Sequence, residues 1–138
     1  MTDPTTAPSA DDTIAALTQL ADAAGHASTV LFNWRRNNPT SADVERALNL
    51  ETALDQRAID LRAQAVTLLG AQAAEAIAQL KDACMQVDGF LATVKKIEGE
   101  LGIANAVVGL AGAALVGDSG GVLSAIVGVH AALKAAKA

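Results

Sequence analysis

Ser119 lies in Gly117-Asp118-Ser119-Gly120-Gly121, a spacing that satisfies G-x-S-x-G. A serine in that pattern becomes a nucleophile when a strand-to-helix turn exposes its hydroxyl and a histidine accepts its proton. The only candidate bases are His26 and His130, the latter eleven residues further on in an apolar stretch, where an imidazole is more often a core or interface group. Gly112 to Gly117 followed by Asp118-Ser119 also reproduces the spacing of a phosphate-cradling G-x-x-x-x-G-K-[ST] loop. Asp118 stands where the lysine belongs, and a carboxylate there repels phosphate. Metal chemistry has still less to work with. Asp22 and His26 are the one acid/histidine pair at helical spacing, and they read as a surface i,i+4 pair. Cys84 is the sole cysteine, so it reads as a small buried hydrophobe on a helix.

Gly117 to Gly121 resembles the segment around the nucleophilic serine of the trypsin-like proteases, a disulfide-bearing β-barrel family larger than this chain. The resemblance covers five residues, and no alternation of strand and helix surrounds Ser119 as a nucleophile elbow requires. The expectation is therefore a protein that is not an enzyme, with no catalytic, cofactor or metal residues and no cofactor.

The elements that would have to position any site are helical. Thirty-two of the 138 residues are Ala, aromatics are 2%, and Pro occurs only at positions 4, 8 and 39. Ala leads the helix scale, whereas strands favour aromatic and β-branched residues. With 51% hydrophobic residues and a net charge of −5, the chain fits one folded domain, and it lacks the basic face of a nucleic-acid binder. The acidic start MTDPTTAPSADD has neither basic nor apolar signal regions. It predicts synthesis in a cytoplasm without a cleavable signal, leaving open membrane association or secretion by a signal-independent route.

Residues 1–10 read as a disordered tail and 11–138 as a single helical domain. A first helix is expected over 11–38. Ser9 with Asp12 resembles a capping box, Ile14, Leu17, Ala21, Ala24, Leu31 and Trp34 form its apolar face, and Asn37-Asn38-Pro39 ends it. Thr40 with Asp43 is a second cap signature. From there an apolar stripe that includes Val44, Leu48, Leu54, Leu61, Leu80, Val87, Phe90, Val94 and Ile97 runs through a long amphipathic region, 40–100. As one rod it would be about 80 Å long, so a bend is expected near Gly70 or Gly89, with Gly70 preferred.

At residue 100 the composition changes. Residues 101–138 hold three of the 25 charged side chains, namely Asp118, Lys134 and Lys137. Leu101–Gly117 and Val122–Leu133 are charge-free arms about a turn, which predicts a C-terminal apolar Gly/Ala-rich helical hairpin with Asp118 and Ser119 at its tip. Small residues recur along each arm: Gly109, Ala113 and Gly117, then Gly120, Ser124, Gly128 and Ala132. Such a face lets helix backbones approach closely in lipid, or packs tightly in a water-soluble core. Lys95 and Lys96 precede the hairpin and Lys134 and Lys137 follow it, while the tip is acidic; this agrees with the positive-inside tendency if the hairpin inserts. The same lysines also suit a helix C-terminus. Trp34, Arg35 and Arg36 end the first helix as an interfacial anchor would, or as the filled end of a bundle.

The predicted architecture is all-α, a helical bundle of amphipathic helices carrying the apolar hairpin. In outline it resembles the hydrophobic-hairpin bundles of α-helical pore-forming toxins such as the colicins, a resemblance of layout over the last 38 residues that matches no motif and carries over no residue. The function expected first is a non-enzymatic, membrane-active protein whose hairpin inserts into or anchors to lipid, pore formation being one form of this. The alternative is a soluble interaction or structural subunit that self-assembles through its small-residue helix faces, and a lipid-binding carrier comes third. The partners implied are a lipid membrane or a hydrophobic protein, with a homo-oligomer expected and no nucleic acid.

Overall fold

The computed structural model describes residues 10–63, 72–93 and 96–137. Among them are five helices and no strand: α1 (Ala10–Asn37), α2 (Val44–Ala63), α3 (Ala73–Leu91), α4 (Ile97–Val116) and α5 (Ser119–Lys137).

Helix α1 stops at the breaker cluster. The Asn38 side-chain amide donates to the Trp34 carbonyl at 2.9 Å, capping a carbonyl of the last turn, and Pro39 follows. The expected Thr40/Asp43 cap is displaced by one residue: the Ser41 hydroxyl accepts from the Asp43 backbone N–H at 3.2 Å, and α2 begins at Val44. The Ser9 cap lies outside the described residues.

Side-chain bridges fix the helix directions. Arg35 pairs with Glu51 and Asp22 with Arg62, so α2 runs antiparallel to α1. Gln19 donates to the Lys81 carbonyl and His26 pairs with Asp88, so α3 runs parallel to α1. Because α2 and α3 point in opposite directions, residues 40–100 are not one rod. The bend expected near Gly70 falls within residues 64–71, outside the described residues. Gly89 lies in the last turn of α3, and the break expected near it follows Leu91, where the Thr93 hydroxyl and N–H both bond the Phe90 carbonyl, at 3.1 and 2.9 Å.

Helices α1, α3, α5 and α4 follow one another around a four-helix ring, and α2 lies in the outer groove between α1 and α4. This placement corrects the expected face of α1. Ile14 is exposed, while Ala16, Leu20, Ala23 and Ala27 join Leu17, Ala21, Ala24 and Leu31 in the core, because a helix touching three neighbours must bury more than one stripe. Leu48, expected on the buried stripe, is exposed for the complementary reason: α2 is peripheral and buries only a narrow strip, including Ala47, Glu51, Leu54, Ala58 and Leu61. The predicted Asp22–His26 pair does not form. Each residue turns to another helix instead, Asp22 to Arg62 at 2.8 Å and His26 to Asp88 at 3.0 Å.

Candidate lipid and assembly face

The hairpin starts earlier than the charge boundary at residue 100 suggests. Ile97–Glu100 form the first turn of α4, where the exposed Glu98 complements the positive helix end. With Ser119–Gly121 and the terminal lysines included in α5, the arms become helices of 20 and 19 residues. At 1.5 Å per residue these reach about 30 Å, the thickness of a hydrocarbon core.

The tip is built from two local devices. Gly117 takes the left-handed conformation (φ 86°) that ends α4, and its N–H bonds the carbonyls of Ala113 and Ala114. Asp118 is the N-cap of α5, its carboxylate accepting from the Gly121 N–H at 3.0 Å. The GDSGG segment is thus a helix-turn-helix joint. Ser119 is 2% exposed at the start of α5, and His130 is exposed on the same helix, roughly 16 Å further along the axis.

The two arms are buried unequally. In the most apolar 18-residue stretch of each, 44% of α4 but only 28% of α5 is buried. Helix α4 sends Leu101, Ile103, Val107 and Leu110 into the core between α1, α2 and α5. Helix α5 contributes Val122, Ile126, Val129 and Leu133 from one side and faces away from the bundle with the other. Val116 and Val127 are 80% and 68% exposed, among the most exposed large apolar side chains of the described residues.

The predicted small-residue positions are divided between the two arms and differ in exposure. Gly109, Gly120, Ser124 and Gly128 are exposed, Ala113 and Ala132 half-buried, and Gly117 buried at the turn. Outside its own turn, no atom of the described residues lies within 4 Å of where a Cβ would stand on Gly109 or Gly128, so neither glycine serves a close helix approach among those residues. At the opposite end of the hairpin, Lys96, Glu98, Gly99, Gly102, Ala132, Ala135 and Ala136 line an open cleft of about 720 Å³.

Trp34, Arg35 and Arg36 are placed by the α1–α2 contact. Trp34 is half-buried against the core. Arg35 makes a two-pronged bond to the buried Glu51 carboxylate, Nε to Oε2 at 2.9 Å and Nη2 to Oε1 at 3.1 Å, which raises its pKa further. Both guanidiniums lie over the Phe32 ring, 5.4 Å (Arg35) and 5.7 Å (Arg36) from its centre. Cys84 is buried in α3, and its thiol is pushed up to about 12 by that burial and by the charge of Asp88.

The spacing of the residues did not single out Glu100. It is 8% exposed, Oε2 has no hydrogen-bond partner among the described residues, and burial pushes its carboxyl up to about 7. The signal was present: Glu100 shares a helix face with Ala104, Val107 and Ala111, all core residues.

Comparison with known protein families, with curated protein sequences and with solved structures finds no match to this chain.

Proposed function

We propose that the chain is a non-enzymatic helical bundle that attaches to lipid through its C-terminal hairpin. One observation carries this reading: α5 is long and apolar enough to cross a membrane, yet most of it is not buried by the bundle. A continuous apolar surface on a folded protein is a site of contact with lipid or with another apolar surface. The charges agree with the lipid reading. Lys96, Lys134 and Lys137 lie at the open end of the hairpin and Asp118 at its tip, an arrangement that keeps the basic end on the side of synthesis.

Attachment through α5 needs no rearrangement, because its outer face already meets solvent. Insertion of the whole hairpin, as in the toxin-like layout and any pore, requires α4 to leave α1 and α2. The test is flotation of the full chain with vesicles of phosphatidylcholine and phosphatidylglycerol. Wild type is expected to float and Val116→Asp and Val127→Asp to remain at the bottom, because each places a carboxylate on the exposed apolar surface without touching the core. A wild type that stays at the bottom at every pH at which it is folded refutes the lipid reading.

The second reading, a soluble subunit that self-assembles through helix faces, is favoured by the exposure of Gly109, Gly120, Ser124 and Gly128 and by the open space beside Gly109 and Gly128, which leaves room for a backbone from outside the chain.

A further inference from the structure

We infer that in water the outer face of α5 is covered by the α5 of a second copy, packed antiparallel about a two-fold axis at Val127. The inference rests on the self-assembly reading and names its partner and register.

Gly120, Ser124, Val127, Ala131 and Lys134 succeed one another at intervals of four, three, four and three residues and are all exposed, on the side of α5 opposite Val122, Ile126, Val129 and Leu133. Residues at that interval lie along one face of the helix, the seam on which it would meet another helix. Helix α5 packs inward on α3 and α4, so the seam has no partner within the described part of the chain.

What selects a second copy is self-complementarity. A two-fold interface requires that if one residue meets another, the second meets the first in return. With the axis at Val127, Ser124 meets Ala131 of the other copy and Gly120 meets Lys134, each pair occurring twice. Val127, the one large apolar side chain of the seam, projects beside Gly128 of the other copy, where no atom of the described residues outside its own turn lies within 4 Å of a Cβ position.

Charge makes the same selection. The exposed face between Ser119 and Leu133 carries no acidic or basic residue except His130, whereas its ends are opposite in sign, Asp118 at one and Lys134 and Lys137 at the other. The Asp118 carboxylate is held over Gly121, 3.3 Å from where a Cβ would be. An antiparallel partner places its Lys134 against Gly120, whose Cβ position is 3.6 Å from the same carboxylate. A parallel pair would set lysines against lysines.

The test uses the full chain in lipid-free buffer. Sedimentation across a dilution series is expected to show twice the 13.9 kDa chain mass, dissociating on dilution. Lys134→Glu, which sets acid against Asp118, is expected to shift dissociation to several-fold higher concentration, and an unchanged dissociation constant overturns the charge pairing. Under mild oxidant Val127→Cys is expected to form a covalent dimer. Ser124→Cys and Ala131→Cys are each expected to stay single, because each lies roughly 10 Å along the axis from its own copy, beyond the reach of a disulfide. The Ser124→Cys/Ala131→Cys double variant should cross-link. The native Cys84 is 1% exposed and leaves the background clear. Cross-linking by every single variant overturns the antiparallel register while leaving self-assembly standing, and a single-chain mass at all concentrations overturns both.

Discussion

Replacing Glu100 by glutamine should change how stability depends on pH while leaving the shape of the core intact. In the folded chain the carboxyl is buried, without a partner at Oε2 among the described residues, and burial pushes it up from an ordinary 4.5 to about 7. A difference of that size corresponds to about 3 kcal/mol. The sign follows from proton binding. Below pH about 4.5 the group is protonated whether folded or unfolded, and it costs nothing. Between about 4.5 and 7 the folded chain keeps a proton that the unfolded chain releases, so stability falls as pH rises, and above 7 the whole loss has been incurred. A glutamine at this position has the same shape and no proton to release, and its altered hydrogen bonding adds an offset that does not vary with pH. Urea unfolding followed by circular dichroism at several pH values from 4.5 to 8 measures both proteins. Groups common to the two, including the His26–Asp88 pair, cancel in the difference. The variant should gain on wild type by about 3 kcal/mol across that range, or about 1–3 M in urea midpoint. A difference that stays constant from pH 4.5 to 8 refutes the reasoning.

Arg35→Met should lower the urea midpoint, because it strands the buried Glu51 carboxylate, and Arg35→Met/Glu51→Leu should recover part of the loss, since no charge is then left without its partner. At the hairpin tip, Gly117→Ala forces a side chain into the left-handed region and Asp118→Ala removes a cap; each should cost about 1 kcal/mol in urea unfolding, while Asp118→Asn, which caps equally well, should cost little. Native Cys84, buried and holding its proton up to about 12, should react with Ellman's reagent at pH 8 only as fast as the chain opens, and modification within the mixing time would contradict its placement. The oxidised Val127→Cys dimer should float with vesicles less than its reduced form, because the bond holds the lipid-facing surface closed, and equal flotation would show that lipid binds elsewhere.

What could be read in the residues depended on whether a signal was local or arose from packing. Helix content, the end of α1 at Asn37-Asn38-Pro39 and the apolar hairpin follow from composition, capping chemistry and a missing charge pattern, all of which act within a few residues. The exposure of Ile14 and Leu48 could not be read, because it depends on α1 having three neighbours and α2 only two. Asp22 and His26 illustrate the same limit: helical spacing makes them neighbours, but Arg62 and Asp88 on other helices offer better partners. Gly117 to Gly121 was legible as a turn, yet the division of labour within it, a left-handed end at Gly117 and a cap at Asp118, appears only in the backbone geometry. The two arms look equivalent in composition. Their inequality, one helix in the core and one with an open face, is set by the order of helices around the ring.

That inequality shapes how the hairpin can engage lipid. If the seam of α5 takes both a bilayer and a second copy, as proposed, it cannot meet both at once, and by mass action each then weakens the other. Drawing in α4 as well is a different process. It would remove Leu101, Ile103, Val107 and Leu110 from the core, each buried side chain contributing about 1.5–3 kcal/mol, a sum comparable with the whole stability of a domain at about 5–15 kcal/mol. Lipid must supply that much before the hairpin spans. Acid then acts in opposite senses at two carboxylates. Protonating Glu100 stabilises the bundle and holds α4 in place, whereas protonating Asp118 removes the cost of about 3 kcal/mol for carrying a charge through hydrocarbon. Seating α5 on the surface carries Asp118 across nothing and opens no core, so neither term enters it. A pH dependence found only for spanning, and not for binding, is the signature of a hairpin with one arm held in the core and the other already free.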